Sequence, residues 1–194
     1  MNRRSVLAAL GCAALLTWTR PARPDDKIEV VDARLETTGD DGAVVLSAVF
    51  TLSLTQTLRD AVIRGLPLYF LTELQIQRPR WYWFDRSVVS MQTEWRLSYH
   101  ALTRQFRVAS ANGSEGFTLL EDALRSMSTI DRLPVARIDR FNPRTVYRVW
   151  VRMRLDTTRL PKPFQMTALT DRDWNSESEW KRFDFTVPTP TPAQ

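Results

Sequence analysis

One cysteine, one histidine and six glycines in 194 residues leave little room for several kinds of chemistry. A lone Cys12 permits no intramolecular disulfide and no multi-cysteine zinc or iron–sulfur site, and a lone His100 removes every site that needs two imidazoles. No G-x-S-x-G elbow accompanies that histidine, so a Ser-His-Asp or Cys-His arrangement lacks its partners, and His100 reads as a turn or surface residue. The longest apolar run, Val6–Leu16, is too short for a bilayer crossing that takes about 20 residues. No cofactor is expected, and the chain is not expected to be an enzyme.

What is present is an ordinary globular composition, 43% hydrophobic and 10% aromatic, enough for one well-filled core. Residues 1–24 have the layout of an export signal: a basic start through Arg3 and Arg4, the apolar run, and a proline-marked exit from Thr17 to Pro24. Arg3-Arg4-Ser5-Val6-Leu7 fits the general and the twin-arginine routes alike. Cleavage near Pro24 gives a periplasmic protein, and without cleavage the same segment becomes a short membrane tether. The 27 Lys and Arg outnumber the 22 Asp and Glu, but four of those arginines and no acid lie in residues 1–24. Without them 23 basic residues face 22 acidic ones, so the electrostatic case for a nucleic-acid partner disappears.

From Ile28 the dominant period is two. Ile28 to about Thr37 reads as a strand, Gly39-Asp40-Asp41-Gly42 as its turn, and Val44, Leu46, Ala48, Phe50, Leu52 and Leu54 as the inward side of the next. A short helix is predicted over Gln56–Arg64, with Leu58, Ala61 and Val62 inward and Gly65 as its stop. Strands are predicted around Leu68–Ile76, Val89–Tyr99, Phe106–Ser110, Tyr147–Leu155 and Trp180–Val187, with a weaker one at Phe164–Leu169. Residues 111–116 read as a loop. Thr118 and Glu121 stand at capping-box spacing before a helix whose stripe is Leu120, Ala123, Leu124 and Met127. The alternating prolines of 188–194 exclude a ladder and predict a disordered tail. Residues 25–187 are therefore expected to form a single domain.

In Phe141-Asn142-Pro143-Arg144-Thr145-Val146-Tyr147, a proline-marked bend leads to a Tyr that opens a strand. This is the setting of a tyrosine corner. The fold expected is mainly β: a two-sheet antiparallel sandwich, immunoglobulin- or fibronectin-III-like, with one or two short helices, and a half-open barrel as the alternative.

The candidate binding patch is Arg78, Arg80, Trp81, Trp83, Asp85 and Arg86. As a strand it sets Trp81, Trp83 and Asp85 on one face and arginines on the other, an array that suits sugars, peptides or anions. The same residues also suit a core face backed by a stacked Arg–aromatic surface. Glu73, Asp85 and Glu94 flank the stretch and keep open a carboxylate pair acting on glycans. Asp171, Asp173 and Asn175 begin like a calcium loop, but Ser176 and Arg182 stand where the turn glycine and the bidentate glutamate belong, so an Asx-turn loop is the competing reading.

Several stretches, in order, carry a family resemblance: Gly65-Leu66-Pro67-Leu68, Arg80-Trp81-Tyr82-Trp83-Phe84-Asp85, Trp95-Arg96-Leu97-Ser98-Tyr99-His100 through Arg107, and Arg154-Leu155-Asp156 with Leu160-Pro161-Lys162-Pro163-Phe164-Gln165. With Asp171-Arg172-Asp173-Trp174 and Trp180, the sequence from Ile28 to Val187 resembles the proteobacterial family catalogued as domain of unknown function 4390. The resemblance implies an exported bacterial protein whose gene tends to lie beside a nitrogen-regulation-type sensor kinase and its response regulator. It brings no activity, cofactor or catalytic residue. The resulting expectation is a non-enzymatic module of the envelope that recognises a protein or peptide, with the periplasmic region of the sensor kinase as a partner to test. The alternative is a cell-wall glycan-binding accessory factor or a glycan-active enzyme.

Overall fold

The computed structural model describes residues 28–39, 42–79 and 86–188. The chain in this range is mainly β, two antiparallel sheets with three short α-helices. The strands are β1 (Ile28–Thr37), β2 (Ala43–Leu52), β3 (Leu68–Arg78), β4 (Arg86–His100), β5 (Gln105–Ser110), β6 (Gly113–Phe117), β7 (Thr129–Arg137), β8 (Val146–Leu155) and β9 (Lys181–Thr186). The helices are α1 (Gln56–Ile63), α2 (Leu120–Met127) and α3 (Lys162–Thr170). One sheet has the order β1-β2-β7 and the other β6-β5-β4-β3-β8-β9. Two sheets are as expected, but this three-plus-six division does not show the immunoglobulin-like topology.

A single core joins the sheets. Val44, Leu46, Ala48 and Phe50 of β2 point inward at every second residue, as the alternation requires, and join Phe70, Leu74 and Ile76 of β3 and Val149, Val151 and Met153 of β8. In β1 the strict alternation fails: a bulge between Val30 and Asp32 turns Val31 outward and brings Ala33 and Leu35 back to the core. At the adjoining turn, Gly42 has φ of +58°, and a Cβ there would lie 3.1 Å from Ile138 Cγ2. Asp40 and Asp41 lie outside the described residues.

Helix α1 matches its expected position. Thr55 caps it, accepting the Leu58 N–H at 3.2 Å; Leu58, Ala61 and Val62 are buried. Gly65 ends it at φ +91°, where the Leu66 N–H reaches the Ala61 carbonyl. Helix α2 buries the expected stripe but starts later. Leu119 stands at its cap with no side-chain bond, so the Thr118–Glu121 capping box does not form, and Glu121 instead pairs with Arg59 of α1 at 3.2 Å.

Three segments differ from expectation. Residues 162–170 form helix α3, not a strand, with Pro163 in its first turn where a missing N–H costs nothing. Residues 113–117 form edge strand β6 instead of a loop. Strand β7, interrupted by Pro134 and by Arg132 at φ +47°, was not anticipated.

The tyrosine corner forms. The Tyr147 hydroxyl accepts the Asn142 N–H at 2.7 Å, and its buried ring meets Phe141 edge-on at 5.1 Å. Chain direction then divides the molecule. One end holds α1, α3, the β4–β5 turn and the start of β1; the other holds the β1–β2, β3–β4 and β5–β6 connections and the tyrosine corner.

Candidate functional site

Among the described residues a trough lies between the sheets, where β4 and β5 diverge from β7. Its main part, about 750 Å³, has Met91 and Trp95 from β4, Ile130 and Leu133 from β7, and Thr93, Ser110, Asn112 and Asp131 as polar groups. A second hollow of about 420 Å³ continues it between β6 and α2, sharing Trp95, Ser110 and Asn112 in its walls. Trp95 is half-buried and is held by its indole N–H, which donates to Thr72 Oγ1 at 3.3 Å. The result is an apolar floor with hydroxyl, amide and carboxylate groups beside it, the usual composition of a ligand cleft. Strand β7 is also an edge, so its outer side has no strand partner among the described residues.

The face of the six-stranded sheet turned away from the core carries an ion network. Glu73 is buried there and accepts from Arg152 Nε at 2.5 Å, Arg154 Nε at 3.1 Å and Gln92 Nε2 at 3.1 Å. Burial pushes the Glu73 carboxyl up, but the hydrogen bonds and charges of Arg152 and Arg154 outweigh it and hold the group below the ordinary carboxylate range. Arg152 also stacks over Trp180 at 4.4 Å, and Arg159 and Arg96 lie over Tyr69 at 5.2 and 5.9 Å. Glu94 is bound by Arg159 at 2.5 Å. A glutamate held ionised by two guanidinium groups is a poor proton donor near neutral pH, which places Glu73 as a structural counter-ion between β3 and β8.

Of the sequence-derived patch, Arg78 and Arg86 are paired residues at the mouth of the β3–β4 connection and, with Arg140, Asn142 and Tyr147, line a cavity of about 280 Å³. Arg80, Trp81, Trp83 and Asp85 lie outside the described residues. Asp171, Asp173 and Asn175 lie around a 3-10 turn at Arg172–Trp174. Asp171 accepts the Asp173 N–H at 2.9 Å, and Asp173 binds the Thr57 hydroxyl at 2.9 Å, fastening this loop to α1. Those carboxylates cap and tether, and among the described residues no cluster of three metal-ligating side chains occurs. His100 ends β4 and holds its turn through Nδ1, 3.4 Å from the Thr103 N–H and 3.2 Å from its hydroxyl. The trough was not visible in the sequence: its walls are contributed by β4 and β7, and Ile130, Asp131 and Leu133 sit in a strand without a clear period.

Fold and site together define a mainly β protein of two antiparallel sheets with a trough between them. The chain belongs to the family described as Domain of unknown function (DUF4390), whose family model matches residues 25–184. No curated protein and no solved structure matches it.

Proposed function

We propose that this is an exported, non-enzymatic recognition module of the bacterial envelope that takes an extended peptide or protein segment into the trough beside β7. The observation that supports the reading is the trough itself: an apolar floor of Met91, Trp95, Ile130 and Leu133, long enough to pass from β7 to β6, with Thr93, Ser110, Asn112 and Asp131 able to serve backbone amides. The interruptions at Arg132 and Pro134 keep β7 from offering a continuous ladder, which favours side-chain anchoring over simple strand addition and protects the edge from unspecific pairing. The extracytoplasmic region of a neighbouring sensor kinase is a partner of suitable kind.

Selection of displayed random peptides on the immobilised protein tests this. Enriched peptides with apolar anchors are expected to bind at about micromolar Kd, and Leu133→Arg is expected to weaken them at least tenfold with the fold retained by circular dichroism. Absence of enrichment, or binding indifferent to both Leu133→Arg and Asp131→Lys, overturns the reading.

A further inference from the structure

Among the described residues nine large apolar side chains are exposed, and six of them belong to elements at the helical end: Ile63, Leu102, Leu119, Phe164, Met166 and Leu169. Leu102 projects from the β4–β5 turn and is 93% exposed; Met166 and Leu169 on α3 are 69% and 79% exposed. Helix α3 buries none of its residues. Phe164, 5.4 Å from the Trp174 ring, half-buried Ala168, and Gln165, whose amide donates to the Thr158 and Leu160 carbonyls, tie α3 to the body, and the exposed Met166 and Leu169 are not explained by that packing.

Topology adds a second fact. Ile28 pairs with Leu52, and the chain then passes through Ser53 and Leu54 to Thr55, whose hydroxyl donates to the Asp173 carbonyl just beyond α3. The sequence that precedes Ile28, with its apolar run Val6–Leu16, therefore joins the body at the same end as the exposed apolar cluster. Exposed Arg64, Arg104 and Lys162 lie at this end, and so do Asp60, Asp122 and Asp171; Asp122 is paired with Arg125 and Glu121 with Arg59. Exposed apolar side chains with cations interspersed can rest in the headgroup region of a bilayer. None of the described helices is long and apolar enough to cross a membrane, so the contact is one of lying on the surface.

We infer that the helical end docks on a lipid bilayer through α3, the β4–β5 turn and the residue before α2, the end at which Ile28 begins β1. This is independent of the trough reading, since the residues lining the trough include none of α3, the β4–β5 turn or Leu119.

The test uses the full chain with Cys12→Ser and one environment-sensitive probe attached at Leu169→Cys, Leu102→Cys or, at the opposite end, Ser87→Cys. Vesicles of phosphatidylethanolamine and phosphatidylglycerol are added. Blue-shifted emission and quenching by lipid-embedded quenchers are expected at positions 169 and 102 but not at 87. Adding Met166→Glu and Leu169→Glu is expected to return the position-102 probe to water while the leader still holds the protein on the vesicles. Equal behaviour of all three probes shows a body hanging free of the bilayer and overturns the inference. So does burial of the position-169 probe before lipid is added, which assigns the surface to a second copy of the chain.

Discussion

The two ends of the molecule close the same core in opposite ways. At the hairpin end the chain finishes with the buried Tyr147, whose hydroxyl serves a backbone N–H, with Phe141 packed edge-to-face against both Tyr147 and Phe185, and with arginines at positions 78, 86 and 140 around a cavity. At the helical end the closure is made by α1, α2 and a loop tied to α1 through Thr55 and Thr57, and outside it sits α3 with its apolar side chains in the open. Among the described residues the hairpin end is closed by the internally bonded aromatic cluster, with Val146 as its exposed apolar side chain, whereas the helical end leaves six large apolar side chains exposed. That difference separates the part of the fold that is needed for stability from the part that is available for contact.

Substitutions at the two ends should therefore diverge, most strongly at Tyr147. Tyr147→Ala is expected to cost about 3–5 kcal/mol by leaving a cavity, and Tyr147→Phe about 1–3 kcal/mol by leaving the Asn142 N–H unpaired, both measured by urea denaturation. A loss for Tyr147→Phe no larger than that for Leu169→Ser would erase the contrast.

Between the ends, Glu73 ties β3 to β8. Glu73→Ala is expected to cost about 3 kcal/mol because two partly buried guanidinium groups lose their shared buried carboxylate and keep only the longer contacts of Arg152 to Glu177 at 3.5 Å and Arg154 to Asp156 at 4.0 Å. Since the folded carboxyl titrates below its unfolded value, its contribution is fully present above the ordinary glutamate pKa of about 4.3 and is lost as pH falls from there through the lower folded value. Denaturation midpoints at pH 7 and pH 3 should differ less in Glu73→Gln than in the wild type; an equal difference would show that other groups carry the acid sensitivity.

The smallest effects are expected at the helical end. Met166→Ser and Leu169→Ser should change stability by no more than about 0.5 kcal/mol while reducing retention on an apolar column. A loss above about 2 kcal/mol would mean that α3 is part of the core after all.

The same contrast explains what could be read from the chain. Strand β8 and helix α1 bury one regular face, so the burial pattern is written in the residue order; β2 keeps its apolar alternation although Val45 and Ser47 are buried as well, and Tyr147 was legible because a proline-marked bend stands before it. Helix α3 was misread because Phe164, Met166 and Ala168 recur at every second residue, and with no buried stripe there is no 3.6-residue signal to contradict them. Strand β6, Gly-Ser-Glu-Gly-Phe, pairs only through its backbone to β5. Strand β7 hides behind Pro134 and Arg132. The trough depends on bringing Trp95 and Leu133 together across two sheets, and such a spacing has no local trace.

Amide hydrogen exchange of the full chain with and without phosphatidylethanolamine–phosphatidylglycerol vesicles compares both ends in one measurement. Lipid is expected to protect residues 100–104 and 162–170 and to leave residues 86–88 and 138–144 unchanged. Protection confined to the hairpin end, or absent from both, would contradict the assignment of the helical end as the contact surface.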